Sequence, residues 1–190
     1  MWVALWDVHR IFPALNQIAG TMTQAQSRYG FDTVSLPAPL GMWRRQQSAQ
    51  GAYLNATQVA QHLEGKPKQL GVQGLICITN FPLRDKGTLD LYAWSDPESQ
   101  IAIFSTAGLL DQIKEPELSL SRMIANGVVG ILADLEEHKR GVKDCPSYYN
   151  PKRDIRYVAG PLHWCSPCRR RLAGRKENLT ALDRLLRVFD

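Results

Sequence analysis

The chain has 190 residues, of which 44% are hydrophobic and 22% charged, and its formal net charge at neutral pH is +5. That length can bury a substantial core, and the composition is that of an ordinary globular protein. No apolar run approaches the roughly 18 residues of a membrane span, which excludes a membrane-spanning helix. The charge is uneven: from Arg169 to Asp190 seven Lys or Arg stand against three Asp or Glu, a net of +4, so the remaining 168 residues are almost neutral.

The opening Met1-Trp2-Val3-Ala4-Leu5-Trp6 has no basic lead-in and runs into Asp7, so residues 1–7 read as a first strand and not as a signal peptide. Leu15, Ile18, Met22, Ala25 and Tyr29 recur at helical spacing and predict a helix over 13–29 that ends near Gly30. Phe31 to Leu36 alternates as a short strand, and Pro37, Pro39 and Gly41 then break the chain. A helix is expected over 55–63, capped by Asn55 or Thr57. Leu75-Ile76-Cys77-Ile78-Thr79 suits a central strand, and Leu89–Trp94 and Gln100–Ser105 read as two more strands around the turn Asp96-Pro97-Glu98-Ser99. Residues 117–137 read as helix, residues 139–168 as irregular chain, and 177–189 as an amphipathic helix with Leu179, Leu182, Leu185, Leu186 and Phe189 on one face.

The irregular stretch carries the chemistry. His138, Cys145, Cys165 and Cys168 fall within 31 residues, as His-x6-Cys and, 19 residues later, Cys-x2-Cys. Thiolate and imidazole are the ligands of a closed tetrahedral zinc site, and an x2 spacing lets two sulfurs reach one ion from a single turn. His163 competes with His138 for the fourth position. A redox role for the Cys-x2-Cys lacks any surrounding redox-fold pattern. Three clustered cysteines without an export signal favour metal over disulfides, and hence a reducing, cytoplasmic setting. Arg169, Arg170, Arg171, Arg175 and Lys176 follow directly and offer a surface for phosphate or an acidic partner. Tyr148-Tyr149-Asn150-Pro151-Lys152-Arg153 adds aromatic and basic groups beside them, and the acidic run Asp134, Glu136 and Glu137 reads as a solvated helix end.

In order and spacing these pieces resemble the archaemetzincins, a family of zinc-dependent metallopeptidases, over roughly residues 1–172. Ile76–Leu83 and Leu91–Trp94 look like that family's strand and strand pair, and Ile101–Leu109 is similar to its edge strand. Arg45-Gln46-Gln47 is similar to its Arg-Gln-Tyr stretch, Ser121-Arg122 to the opening of its active-site helix, and Cys165–Leu172 to its C-terminal Cys-x-x-Cys and basic tail. The family motif is His-Glu-x-x-His-x-x-Gly-x-x-His, followed by Cys. Alignment by order puts Gly127, Val128, Ile131, Asp134 and Glu137 at its defining positions and His138 at the first Cys. A catalytic zinc needs side-chain ligands and an open water position, and Gly, Val and Ile offer no lone pairs.

The expected fold is therefore α/β (α+β): a compact zincin-like domain over 1–172 with a small mixed, twisted sheet, packed helices and a zinc knuckle at 138–168, followed by a basic and amphipathic helix at 173–190. The resemblance and its departures imply a chain that is not an enzyme: a pseudo-peptidase with a structural zinc on His138, Cys145, Cys165 and Cys168. It would serve as a structural or adaptor subunit with a protein partner in a hetero-oligomeric assembly, Leu182, Leu185, Leu186 and Phe189 offering anchors for docking. Two alternatives stand beside it. One is a nucleic-acid-associated accessory protein using Arg169, Arg170, Arg171, Arg175 and Lys176. The other is a metallopeptidase with a non-standard site.

Overall fold

Two continuous apolar runs, Gly74–Thr79 (β4) and Ile101–Ser105 (β8), form the middle of a five-stranded sheet. They are buried on both faces, which is why they do not alternate with polar residues as half-exposed strands do. The computed structural model describes residues 1–37, 53–86, 88–113, 119–135, 138, 142–148 and 154–190. By its internal contacts the chain divides into two compact units, Met1–Ala19 with Phe31–Gly108 and Gly20–Gly30 with Leu109–Asp190.

In the first unit Trp2–Asp7 (β1) and β4 are parallel, with Leu5 opposite Ile76, and β4 and β8 are parallel, with Ile76 opposite Ala102. Gly30–Thr33 (β2) lies outside β1, and Ala93–Asp96 (β7) runs antiparallel to β8, so the order is β2-β1-β4-β8-β7. The β7–β8 turn is closed by the Asp96 carboxylate, which accepts from the backbone N–H groups of Glu98 (3.2 Å) and Ser99 (3.3 Å). A second sheet joins Leu54–Asn55 (β3), Leu83–Asp85 (β5) and Thr88–Leu91 (β6) in the order β3-β5-β6.

Leu15–Ala25 (α1) is shorter than its periodicity suggests. The Gln26 side chain accepts from the N–H groups of Arg28 and Tyr29, both at 2.7 Å, and turns the chain before Tyr29. Ala56–Leu63 (α2) starts where the Asn55 side chain accepts from the Gln58 N–H at 2.9 Å, which settles the cap in favour of Asn55 over Thr57. Its Ala56, Val59, Ala60 and Leu63 share one face and bury with Ala4, Trp6, Leu75, Cys77, Ile101 and Ile103 of the sheet. A short helix that periodicity did not indicate, Lys66–Leu70 (α3), follows between Gly65 and Gly71, whose φ of 76° and 69° suit glycine.

In the second unit Leu120–Ala133 (α4) is capped by Ser119, whose Oγ accepts from the Arg122 N–H at 3.0 Å, and stops at Asp134 in the left-handed conformation. Three more helices follow: Arg156–Ala159 (α5), Ser166–Ala173 (α6) and Lys176–Arg187 (α7). Asn126 ties α4 to the end of α5, its Nδ2 donating to the carbonyls of Val158 (2.9 Å) and Gly160 (3.0 Å). Position 160 must be glycine, because a Cβ there would collide with the Arg156 carbonyl oxygen. α7 packs on α4 and α6.

The structure departs from the expectations at three places. The stretch Leu89–Trp94 is not one strand: β6 and β7 belong to different sheets and the chain changes sheet at Tyr92. Residues 139–168 are not wholly irregular, since α5 lies within them and α6 begins at Ser166. Leu182, Leu185 and Leu186 are not free anchors for a partner, because they are buried within this chain. Trp43, the Arg45-Gln46-Gln47 stretch, Leu118 and residues 149–153 lie outside the described residues.

Truncating Leu185, fully buried on α7, removes a large apolar side chain from the core of the second unit. The Leu185→Ala variant is expected to lose about 2–5 kcal/mol of stability in urea unfolding, whereas Arg184→Ala on the exposed face changes it by less than about 0.5 kcal/mol.

Candidate metal centre

Three separate pieces of chain converge on one point. His138 is held by its backbone: its N–H donates to the Ser147 carbonyl at 3.0 Å, and it forms an isolated bridge with Tyr148. Cys145 sits in the tight loop that returns to that bridge, closed by the Tyr148 N–H donating to the Cys145 carbonyl at 2.9 Å. Cys165 is the residue before α6 and Cys168 lies in its first turn, with Pro167 between them. Proline fits the start of a helix because the N–H it lacks has no intrahelical partner there. The Arg169 N–H donates to the Cys165 carbonyl at 2.9 Å, so the first helical turn itself sets the two sulfurs side by side.

The ligand atoms of His138, Cys145, Cys165 and Cys168 all lie within 4.8 Å of one another, and the Cys165 Sγ is 3.5 Å from His138 Nε2. A tetrahedral zinc with Zn–S near 2.3 Å has sulfur–sulfur edges of about 3.8 Å. Contraction by about 1 Å or less brings the cluster onto that geometry. The three cysteines are buried, none is in a disulfide, and His138 is half-buried. Among the described residues this is the one group of three or more His, Cys, Asp or Glu placed to hold a metal ion.

The thiols are unevenly poised. Burial pushes Cys145 up to about 12 and raises Cys168. Burial also opposes ionisation of Cys165, but hydrogen bonds from the Cys168 backbone and the neighbouring thiols outweigh it and hold Cys165 below the ordinary thiol value. A bound cation would favour the thiolate form of all three, which without it repel one another strongly this close in a poorly hydrated site. Cys77, in contrast, is fully buried in β4, where burial alone pushes its thiol far up, and it lies in the core of the first unit.

The structure separates the two histidine candidates. His163 is not in the cluster: its Nδ1 is 3.1 Å from Asp144 Oδ2, and its N–H donates to the Asp144 carbonyl at 2.9 Å. The pair links the residue before Cys145 to the segment leading into Cys165. The Tyr148 ring packs edge-on against His138 at 5.8 Å and near Tyr157 at 6.5 Å, so Tyr148 closes one side of the centre. Of the basic residues after Cys168, Arg169, Arg170 and Arg171 lie on α6 and are exposed. Arg169 pairs with Asp183 at 2.6 Å, and the Arg175 side chain donates to the Ala133 carbonyl at 3.5 Å. The Lys176 side chain lies outside what is described. Sequence reasoning missed Arg184 and Arg187, which join this basic surface from α7; their spacing of three, opposite the leucine face, was the available signal.

The residues aligned with the family's catalytic motif are on or beside α4. Gly127 and Val128 are buried, Ile131 is half-buried, and Asp134 caps the helix, while Glu136 and Glu137 lie outside the described residues.

No family model matches the chain, and no curated protein matches it in sequence. Solved structures match in fold. Archaemetzincin from Archaeoglobus fulgidus has a TM-score of 0.62 at 10% identity, covering 90% of this chain and 99% of its own. Archaemetzincin from Methanopyrus kandleri has a TM-score of 0.62 at 14% identity, covering 95% and 96%. A zinc-dependent peptidase from Methanocorpusculum labreanum has a TM-score of 0.57 at 14% identity, covering 90% and 100%. The chain has an archaemetzincin-like, mixed α/β fold with a His/Cys3 cluster that can hold zinc.

This comparison corrects the expectation that the chain is not an enzyme. The fold is one that a zinc-dependent peptidase carries, so the departures along one helix do not establish that activity is lost. The physical reason for the error is that a motif laid along α4 by spacing counts the donors of a single helix, whereas a site is assembled from every segment the fold brings together.

Because each thiol gives up its proton to the metal, zinc affinity should fall as pH falls, by up to about 1000-fold per pH unit, one decade for each of three thiol protons. Competition with a chromophoric chelator between pH 6 and 8 measures this, and a pH-independent affinity contradicts it. The Cys165→Ser chain is expected to retain less than about a tenth of the zinc.

Proposed function

We propose that this chain is a zinc protein of metallopeptidase fold in which the ion on His138, Cys145, Cys165 and Cys168 has an architectural role, and that it works as a subunit of a larger assembly by engaging extended polypeptide. The observation that carries the first part is the closed ligand set: three sulfurs and one imidazole nitrogen fill a tetrahedron and leave no position for water. A reducing, cytoplasmic setting suits four free cysteines.

The second part rests on β7, the outer strand of the five-stranded sheet. The Ser105 N–H donates to the Tyr92 carbonyl at 2.8 Å, so Tyr92, Trp94 and Asp96 turn their backbone groups toward β8. Ala93 and Ser95 therefore turn theirs away from β8, to a side where no strand pairs among the described residues and an extended chain can add one. Next to this edge lies a groove of about 760 Å³ lined by Trp94, Ser95, Asp85 and residues of α2 and α3. One of the similar structures is described as a zinc-dependent peptidase, which agrees with a task directed at polypeptide.

The Ser95→Pro substitution removes an outward N–H and leaves the β7–β8 ladder untouched. It is expected to weaken capture of extended peptides from a random-sequence peptide library at least tenfold, with no change in zinc content. Equal capture by both chains refutes the edge reading. The same peptides, analysed by mass spectrometry after incubation, show whether the engaged chain is cut.

A further inference from the structure

α6 and α7 pack together, and a groove of about 580 Å³ on this surface is lined by Ala25, Arg169, Thr180, Asp183, Arg184 and Arg187. Three of its six lining residues are arginines. The Arg169 guanidinium is clamped on Asp183 (2.6 Å), so the single carboxylate of the groove is already matched. Arg184 and Arg187 are exposed, and neither has an ion-pair partner among the described residues. Three apart on one helix, they stand about 4.5 Å apart along its axis and point to the same side. They point outward because Leu182, Leu185 and Leu186 take the opposite face into the core. Arg170 and Arg171 on α6 extend the positive surface. The stretch Arg169–Asp190 thus displays most of the chain's net charge on one pair of helices.

We propose that this groove binds a nucleic-acid strand through its phosphodiester backbone. Arginine forks match phosphate oxygens in pairs, and six of the seven cationic residues of the stretch are arginine. An acidic protein surface fits less well. Protein partners are held by buried apolar and aromatic anchors inside a polar rim, and this groove offers only Ala25. The exposed large hydrophobic residues among those described are Met1, Trp2 and Val142, none of them on α6 or α7. A polyanion held by its phosphates needs no such anchor. Among the described residues the groove has no aromatic side chain on which a base could stack, so the contacts are independent of sequence. This inference goes beyond the polypeptide reading and uses neither β7 nor the zinc ligands.

The test is fluorescence anisotropy of a labelled 20-nucleotide oligo-dT with the zinc-loaded chain. Two arginine–phosphate contacts, from Arg184 and Arg187, at about −0.7 each for single strands, give a log–log salt slope near −1.4, or about a 7-fold loss of affinity between 50 and 200 mM NaCl. The Arg184→Ala/Arg187→Ala chain is expected to bind at least tenfold more weakly at 50 mM and to bring the slope close to zero. Arg156→Ala, an exposed arginine of α5 paired with Asp154, is expected to change neither value. Circular dichroism and zinc content verify that the substituted chains are folded. Absence of binding at 50 mM, or binding insensitive to the double substitution, overturns the proposal. Displacement of the oligonucleotide by polyglutamate at equal charge overturns it in favour of an acidic protein partner.

Discussion

Three thiols and an imidazole from three stretches of chain share a space only 4.8 Å across, and the second unit of the protein is organised around that convergence. Burial raises the Cys145 and Cys168 thiols, while hydrogen bonds hold Cys165 below the ordinary thiol value. A bound ion would displace the thiol protons. In small zinc domains such binding contributes about 10–16 kcal/mol that is also folding free energy. Here an ion would cross-link the bridge at His138, the loop at Cys145 and the start of α6.

The consequence reaches beyond the ligands. α6 has eight residues, too few for a stable isolated helix. Its first turn is defined by the two sulfurs it presents, and its Leu172 is buried in the core. Arg169, one residue after the last ligand, reaches Asp183 on α7. The metal centre therefore sets where α6 begins and helps fix how its arginines face those of α7. In the first unit the organising element is the doubly buried pair β4 and β8. It leaves β7 as an outer strand with two residues turned outward, and the Asp96 turn holds that strand in register.

What the sequence revealed follows from how local each signal is. The ligand set was legible because a Cys-x2-Cys spacing is itself a local geometry, and the buried strands because a run such as Leu75–Thr79 has few other places to go. The choice between His138 and His163 was not legible. It depends on the Ser147 and Asp144 carbonyls that bind their backbones, which are contacts between loops. The change of sheet at Tyr92 was hidden because β6 and β7 together read as one apolar stretch. α6 was hidden because three consecutive arginines resemble a solvated tail until Cys168 and Leu172 are seen to be buried on its inner face. The basic surface was half read, since Arg184 and Arg187 join it only through the packing of α7.

The most direct measurement of the central claim is zinc X-ray absorption on the purified chain. A closed architectural site predicts one zinc per chain with three sulfur ligands near 2.3 Å and one nitrogen near 2.0–2.1 Å. A first shell containing water or carboxylate oxygen, or a folded chain that binds no zinc, would contradict it.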